Sequence, residues 1–195
     1  MVSCTHAPAN ESPRAPGRPR AGVNAAVFAA TLTCVDQLGY ARATVDRIAI
    51  EAGIAKTTIY RRWPSKGALI VDCLLDAFGP APLEGADRAE VMSSSIHWIA
   101  HKIAEPGVGD AFAGVFSDAV SDPDLRKILS TKFQDPYRVA LQEALGEPEE
   151  RVLFYIDTVV GTLLHRLGMT GRPMDGADVT ALIDMVLAHF TAEAP

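Results

Sequence analysis

The sequence predicts an all-α protein of about nine or ten helices, in which a small N-terminal helical domain precedes a larger helical one. Two observations carry this prediction. Apolar residues recur at spacings of three and four along most of the 195-residue chain, and no stretch shows sustained alternation of apolar and polar residues. Gly and Pro residues fall between these periodic segments, at positions where they end helices.

The first 21 residues predict a disordered basic arm, because they are rich in Pro, Ala, Ser and Arg and lack apolar periodicity. Residues 16–20 of this arm read PGRPR and resemble the core of an AT-hook, an extended peptide that enters a narrow minor groove. Arg18 and Arg20 would gain there from the strongly negative potential of the groove. The alternative is a basic linker that is attracted to phosphates without specific contacts.

The first helix is predicted over residues 23–38, and Gly39 is its natural stop. A helix of this kind has one face that must pack against other elements. That face follows the helical period and contains Val27, Phe28, Thr31, Leu32, Val35 and Leu38.

Residues 44–66 are the centre of the N-terminal domain, because two short amphipathic helices flank one glycine there. Thr44 is placed to cap the first helix with its hydroxyl, and Gly53 tolerates the positive φ of a sharp turn. The second helix begins near Ala55 and has a basic, polar outer face. This arrangement is the helix-turn-helix motif, whose second helix enters the major groove of DNA. The buried face of the first helix contains Val45, Ile48, Ala49 and Ala52.

A further helix follows directly after Trp63, once Pro64 has ended the second helix of the motif. Ser65 caps it and Lys66 lies in its first turn. The Pro- and Gly-rich segment 79–86 ends it and is the best domain boundary. The sequence therefore predicts three parts, a disordered basic arm over residues 1–21, a DNA-binding domain over 22–78 and a helical domain over 79–195.

The C-terminal domain contains only helical periodicity. Asp122 followed by Pro123 starts one of its helices, since Pro fits the first helical turn. Pro136 either kinks this helix or starts another with Asp135 as its cap, and both alternatives are open. The predicted helical segments cover residues 87–104, 110–120, 122–146, 148–169 and 176–191.

Charge is distributed unevenly along the chain. Residues 1–78 contain nine Lys and Arg against six Asp and Glu, a net charge of +3, whereas residues 79–195 contain nine against eighteen, a net charge of −9. The total of −6 alone would argue against nucleic acid, but the basic residues are concentrated around the helix-turn-helix. Such a chain can bind DNA through one end.

Cysteine usage and the N-terminal sequence indicate a cytoplasmic protein. Cys4, Cys34 and Cys73 are odd in number and far apart, which is typical of free thiols in a reducing compartment. The N-terminus has neither the basic region nor the apolar core of a secretory signal. No unbroken apolar run approaches the roughly 18 residues of a membrane span, so we expect no membrane association.

Spaced anchor residues connect the N-terminal domain to a known family. Tyr60, Trp63 and Lys66 form the pattern Y-x-x-W-x-x-K, and further anchors lie in residues 38–40, 44–45, 48–49, 52–54 and 58–59. With these residues the chain resembles the TetR/AcrR family of bacterial transcriptional regulators. The C-terminal domain resembles one branch of the family more weakly, through residues 160–167, 170–173 and 182–187.

The resemblance implies a homodimer that binds a palindromic operator in double-stranded DNA and usually represses transcription. A small, often lipophilic effector would occupy the C-terminal domain and move the two DNA-binding domains apart. The chain departs from the family at Ala55, where a Ser hydroxyl is often found. Carried over by position, the expected DNA contacts are Thr44 and Lys66 at phosphates, Lys56, Thr57 and Thr58 near base edges, and Tyr60 and Arg61 at backbone or bases.

The effector site is predicted among aromatic and polar residues of the middle helices, although packing in the core is the alternative for each of them. The resemblance also implies a twofold dimer interface formed by the last two helices. The predicted effector-site residues are Trp98, His101, Phe112, Phe116, Phe133, Tyr137 and Tyr155. The predicted interface residues are Val159, Gly161, Thr162, Leu163, Leu167, Leu182, Ile183, Val186 and Phe190.

The sequence predicts no catalytic site, cofactor or metal site. His97 and His101 are four apart on one predicted helix, but no third metal ligand is evident nearby. The chain is thus expected to be a ligand-responsive repressor. The alternatives are a regulator without a small-molecule ligand, an activator or, in another class, a helical carrier or enzyme with a degenerate helix-turn-helix. The intact surface between Lys56 and Lys66 favours the regulator, because a carrier would not need it.

Overall fold

The computed structural model describes residues 20–191, and this part of the chain contains helices and turns but no strand. The predicted all-α class is confirmed. A 3₁₀ turn, Tyr40–Arg42, joins the first two helices, and a π turn, Leu129–Gln134, joins the seventh to the eighth without a break. The α-helices are α1 Arg20–Leu38, α2 Val45–Ala52, α3 Lys56–Tyr60, α4 Lys66–Phe78, α5 Arg88–Ala104, α6 Val108–Ser121, α7 Pro123–Ile128, α8 Asp135–Leu145, α9 Glu149–Thr170 and α10 Gly176–Thr191.

The first helix begins earlier than the apolar periodicity indicated. α1 starts at Arg20, three residues before Val23. Gly22, in this first turn, is exposed, and helix ends are the part of a helix that sequence periodicity locates least well. Arg18 and the rest of residues 1–19 lie outside the described residues, as does the side chain of Arg20. The proposed contact of this arm with the minor groove stays a prediction.

The N-terminal domain, α1 to α4, is built around one apolar core. Val27, Ile48, Ile59 and Leu69 come from the four successive helices, and each is at most 1% exposed. Complete burial of such side chains contributes about 1.5–3 kcal/mol each to folding. The core therefore holds the two helices of the helix-turn-helix in a fixed position on α1 and α4.

The two domains meet through α6, which packs against α1 and α4. Gly114 lets α6 approach the turn Tyr40–Arg42 so closely that a Cβ atom at this position would overlap the Tyr40 ring. The absence of a side chain at one residue thus permits a direct contact between the C-terminal domain and the helix-turn-helix.

The helical segment around Pro136 follows neither of the two alternatives in full. The backbone widens into the π turn and returns to α-helix at Asp135, with helical φ and ψ on both sides of the change. Because Pro has no N–H, it cannot continue the α-helical hydrogen-bond pattern, and a π turn is a common way to accommodate such an interruption. Asp135 caps nothing with its side chain, so its predicted role as a cap was wrong.

The last two helices differ in their burial. α10 packs against α5 and has an apolar side inside the domain. α9 is long and apolar enough to cross a membrane by length and composition alone, and 22% of its most apolar window is buried. One such helix is weak support for a membrane span, because helices that pack against protein pass the same test. Its apolar residues form no unbroken run, which is why the sequence did not indicate it.

Candidate nucleic-acid interface and interior cavity

The helix-turn-helix has the local structure that its sequence predicts. Thr44 caps α2, and its Oγ1 accepts a hydrogen bond from the Arg47 N–H at 3.4 Å. Gly53 ends α2 with φ of 63°, in the left-handed region that glycine adopts without strain. Ala55 precedes α3 and provides no side-chain cap, in agreement with its missing hydroxyl.

Trp63 fixes α3 on the domain core. α3 ends at Tyr60 rather than at Trp63, although the Trp63 N–H still bonds to the Ile59 carbonyl at 2.9 Å and prolongs the helical turn. The Trp63 ring is buried 5.6 Å from that of Phe28, and its indole N–H donates to Asp72 at 2.9 Å. One side of α3 is thereby anchored, and its other side is free to meet a partner.

The opposite side of α3, with the residue that follows it, carries four of the nine residues predicted to contact DNA. Their side chains are exposed, whereas Thr58 is half-buried and Ile59 is in the core. The mixture of an ammonium, a hydroxyl, a phenol and a guanidinium suits contacts with phosphates and base edges. We call this surface the recognition face, and it consists of Lys56, Thr57, Tyr60 and Arg61.

One acidic residue lies against the recognition face. Asp46, in the first turn of α2, places its Oδ1 2.6 Å from the Lys56 Nζ. The hydrogen bond that Lys56 donates to Asp46 raises the pKa of Lys56, and the ammonium also lies 5.6 Å from the centre of the Tyr60 ring. Without DNA, the charge of Lys56 is therefore paired within the protein.

Lys66 lies at the domain junction. Its Nζ donates to the carbonyl of Tyr40 and stands 3.6 Å from the centre of the Tyr40 ring. Partial burial lowers the pKa of this ammonium, although Asp118 nearby acts in the opposite direction. A phosphate contact of Lys66, as the resemblance implies, would require the ammonium to leave Tyr40.

Tyr40 and Asp118 form a hydrogen bond that sequence reasoning missed. The Tyr40 hydroxyl donates to the Asp118 Oδ2 at 2.5 Å, and the Tyr40 ring packs against Gly114. Desolvation by burial, and then the bond to Asp118, raise the pKa of Tyr40. No local pattern could have revealed the pair, because 78 residues separate its members.

The C-terminal domain contains a cavity of about 390 Å³ between α4, α5, α6, the π turn, α8 and α9. Six of the seven residues predicted for the effector site line it. His101 does not, because its side chain is 77% exposed and its Nδ1 lies 3.5 Å from Glu105. The six are Trp98, Phe112, Phe116, Phe133, Tyr137 and Tyr155.

The aromatic rings of the cavity wall pack edge to face. Phe78, at the end of α4, is central, with its ring 5.5 Å from Trp98, 5.7 Å from Phe112 and 5.2 Å from Phe133. Tyr137 continues the cluster, 5.6 Å from Trp98 and 5.4 Å from Phe133. Such contacts stabilise rings beyond the effect of burial, so the wall is a packed aromatic structure with specific geometry.

The polar groups inside the cavity bond to one another. Ser95 Oγ lies 2.8 Å from the Tyr155 hydroxyl, and both lie within reach of the Met92 carbonyl, at 3.0 and 3.1 Å. The Tyr137 hydroxyl donates to the Gly79 carbonyl at 2.6 Å. Burial raises the pKa of Tyr137 and that of Tyr155 to about 12, so both phenols are neutral donors near neutral pH.

Most of the predicted dimer-interface residues are buried within the single subunit. Six of them are at most 7% exposed within the single subunit and so cannot meet a partner unless the subunit rearranges. The reason is that the apolar sides of α9 and α10 that they occupy complete the subunit's own core. Only Gly161, Thr162 and Leu167 keep exposed or half-exposed positions. The six buried residues are Val159, Leu163, Leu182, Ile183, Val186 and Phe190.

The described part of the chain offers no group of three or more His, Cys, Asp or Glu side chains that could hold a metal ion. A helix-turn-helix with an exposed basic face, joined through α6 to a helical domain with an aromatic cavity, defines a two-domain DNA-binding protein.

Comparison with known proteins identifies the family. The model described as bacterial regulatory proteins, tetR family, matches residues 27–73, and that of the tetracycline repressor-like C-terminal domain matches residues 92–186. A DNA-binding transcriptional repressor TetR of Mycobacteroides abscessus is 30% identical over 84% of this chain and 91% of its own. The chain therefore belongs to the TetR family and is a DNA-binding transcriptional regulator, not an enzyme.

Two further relatives agree with this assignment. An uncharacterised HTH-type transcriptional regulator of Mycobacterium tuberculosis is 26% identical over 83% of this chain and 84% of its own. The crystal structure of a TetR transcriptional regulator from Rhodococcus sp. RHA1 superposes with a TM-score of 0.67 and 18% identity, covering 90% of this chain and 98% of the other. At that identity the superposition shows a shared fold.

Proposed function

We propose that this protein is a homodimeric repressor that leaves a palindromic operator when a small lipophilic effector enters the aromatic cavity. The position of α6 between cavity and DNA-binding domain carries this proposal. Phe112 and Phe116 line the cavity, while Gly114 and Asp118 of the same helix meet Tyr40. A ligand that displaces α6 would therefore shift the turn before α2.

Helix α4 supplies a second connection between the two sites. Phe78 at its C-terminal end is the centre of the aromatic wall, and Lys66 at its N-terminal end binds Tyr40. Between them, Asp72 holds the indole of Trp63, which anchors α3. A helix moves as a stiff unit, so a ligand that displaces Phe78 also acts on the support of the recognition face.

Exposed apolar side chains support a dimer through the outer face of α9. Phe154 and Met169 on α9 are 54% and 71% exposed, and Met185 on α10 is 56% exposed. Large apolar side chains left exposed on the last two helices are the kind of residue that a partner subunit would cover. A twofold axis through this face would give the symmetry that a palindromic operator requires.

The proposal keeps the predicted division of the chain. Residues 22–78 would bind DNA, with Thr44 at a phosphate and the recognition face in the major groove. Residues 79–195 would bind the effector and the second subunit. The protein would act in the cytoplasm, where operator DNA is found.

Operator binding tests the proposal. Fluorescence anisotropy with DNA from upstream of the protein's own gene should show sequence preference and a steep loss of affinity with salt. Tyr60→Ala and Arg61→Ala should each weaken binding about tenfold or more, and Arg61→Ala should also reduce the salt slope by about 1. Both variants should keep the helical circular dichroism of the wild type.

Arg172→Ala is the matched control, because it removes one positive charge from an exposed position outside the DNA-binding domain. Its affinity should equal that of the wild type. The proposal fails if the protein shows no preference for the upstream DNA, or if Tyr60→Ala and Arg61→Ala both bind like Arg172→Ala.

A further inference from the structure

The wall of the cavity has a charge pattern that restricts the molecules it can bind. Among its twenty lining residues Asp157 is the one charged side chain, and none is Lys, Arg or His. We infer that the cavity takes lipophilic aromatic cations, with the aromatic part among the ring residues and the positive group at Asp157, and that it rejects carboxylates and phosphates of the same size. The inference rests on the proposed function, because it concerns the chemistry of the effector.

The interior offers little to balance a negative charge. Ser95 and Tyr155 donate their hydroxyl protons to each other or to the Met92 carbonyl. Tyr137 donates its hydroxyl proton to the Gly79 carbonyl. Moving an ion into such surroundings without a partner is strongly unfavourable. An anionic ligand would therefore have to break existing hydrogen bonds or remain unpaired.

Two neutral groups of the wall are available to a ligand. Within the described residues, neither the indole N–H of Trp98 nor the side-chain amide of Gln134 makes a hydrogen bond, and both residues line the cavity. They can bond to a polar substituent. Single neutral donors do not balance a full negative charge, so these groups add specificity without making the cavity a site for anions.

The aromatic wall favours a positive ligand. The face of an aromatic ring carries negative electrostatic potential and attracts ammonium groups within about 6 Å, most strongly for Trp. Phe78, Trp98, Phe133 and Tyr137 form one continuous cluster of such rings. The same rings supply apolar area for a planar aromatic group.

Asp157 provides the counter-ion. It lines the cavity and is also exposed, which places this residue at an edge of the cavity that solvent reaches. No Lys, Arg or His in the described part of the chain pairs with it. Gly161, one helical turn further along α9, also lines the cavity and has no side chain that would close the opening.

Three naphthalene probes of one size test this inference: naphthalen-2-ylmethylamine as the cation, naphthalen-2-ylmethanol as the neutral molecule and naphthalene-2-carboxylate as the anion. Isothermal titration calorimetry of the full chain at neutral pH gives the three affinities. The amine should bind about tenfold tighter than the alcohol, and the carboxylate at least about tenfold more weakly than the alcohol.

Asp157→Asn and Asp184→Asn are the matched variants. Both remove one exposed carboxylate from the C-terminal domain, but only Asp157 lines the cavity. Asp157→Asn should bring the amine to within about threefold of the alcohol and leave the alcohol unchanged, whereas Asp184→Asn should change neither.

The outcomes separate this inference from the proposed function. If all three probes bind equally, or if the carboxylate binds tightest, the charge preference is wrong while the effector cavity stands. If Asp157→Asn leaves the preference for the amine intact, Asp157 is not the counter-ion and the inference fails. If no probe binds at millimolar concentration, the proposed response to a ligand is contradicted, and this inference fails as well.

Discussion

The hydroxyl of Tyr40 donates a hydrogen bond of 2.5 Å to Asp118, and so joins the turn before the helix-turn-helix to the C-terminal part of α6. Lys66 covers one face of the Tyr40 ring, and Gly114 leaves room for the ring against α6. Because burial and the bond to Asp118 raise the pKa of Tyr40, the hydroxyl stays protonated across the physiological range. Any movement of α6 must carry this contact along or break it.

Tyr40→Phe tests whether this hydrogen bond couples the domains. The ring stays in place over Lys66, so the expected change is the loss of one bond to a charged acceptor, about 1.5–3 kcal/mol of the free energy of unfolding and less where water replaces the bond. Urea unfolding at fixed protein concentration measures it. Operator affinity should change as well, because the turn before α2 loses a support.

A double-mutant cycle with Asp118→Asn supplies the control. If the two side chains act through each other, Tyr40→Phe combined with Asp118→Asn should destabilise the protein by less than the two single changes added together. Additive effects would show that the two residues act independently, and the hydrogen bond would then have no role in coupling the domains.

Gly114→Ala should separate α6 from the turn Tyr40–Arg42. The new methyl group overlaps the Tyr40 ring, which cannot swing away without losing Asp118 and Lys66. We expect a loss of about 1–3 kcal/mol of the free energy of unfolding and weaker operator binding without any effector. Gly168→Ala is the control, since its methyl group meets nothing within 4 Å, and it should stabilise α9 by up to about 1 kcal/mol. Equal effects of both changes would contradict the close contact.

The sequence predicted those parts of the fold that depend on local chemistry. Thr44, Ser65 and Asp122 cap helices as expected, because capping involves a side chain and backbone groups only two or three residues away. The aromatic residues of the middle helices share one cavity because large apolar side chains on neighbouring helices have one interior available. His101 lies outside this cavity, because its side chain points to solvent although it is only one turn from Trp98 along α5.

The remaining features depend on which surfaces meet, and periodicity does not contain that information. α9 and α10 each carry broad apolar faces, and the sequence does not say which face completes the subunit and which is left for a partner. Leu182 and Phe190 were predicted to lie in the dimer interface, and the structure places both in the core of the single subunit. The Tyr40–Asp118 bond joins residues 78 positions apart, so only the packing of α6 against the first domain creates it.

Asp46→Asn should strengthen binding to DNA. Asp46 holds the Lys56 ammonium 2.6 Å away and adds a negative charge beside the recognition face. The substitution frees Lys56 for a phosphate and reduces repulsion, so affinity should rise several-fold, most clearly at low salt. Thermal stability should fall slightly, because Asp46 lies in the first turn of α2, where the helix dipole favours a carboxylate. Unchanged affinity, measured by anisotropy against Asp184→Asn, would place Lys56 away from the DNA.

The buried phenols predict a loss of stability at high pH. Burial raises the pKa of Tyr155 to about 12, from 10.0 for a free tyrosine. As pH rises from about 10 to 12, the unfolded chain loses this proton first, so the stability present below pH 10 declines, by up to about 1.4 kcal/mol per pH unit for one group. Tyr155→Phe should lower stability at neutral pH, because Ser95 and the Met92 carbonyl both lose the Tyr155 hydroxyl, but it should make the decline above pH 10 shallower. Tyr137, with a pKa of about 12, contributes in the same direction, so Tyr137→Phe is the companion variant.

Urea unfolding across this pH range measures how steeply stability falls with pH. A slope that is the same in the wild type and both variants would show that these phenols do not titrate differently in the folded and unfolded chains.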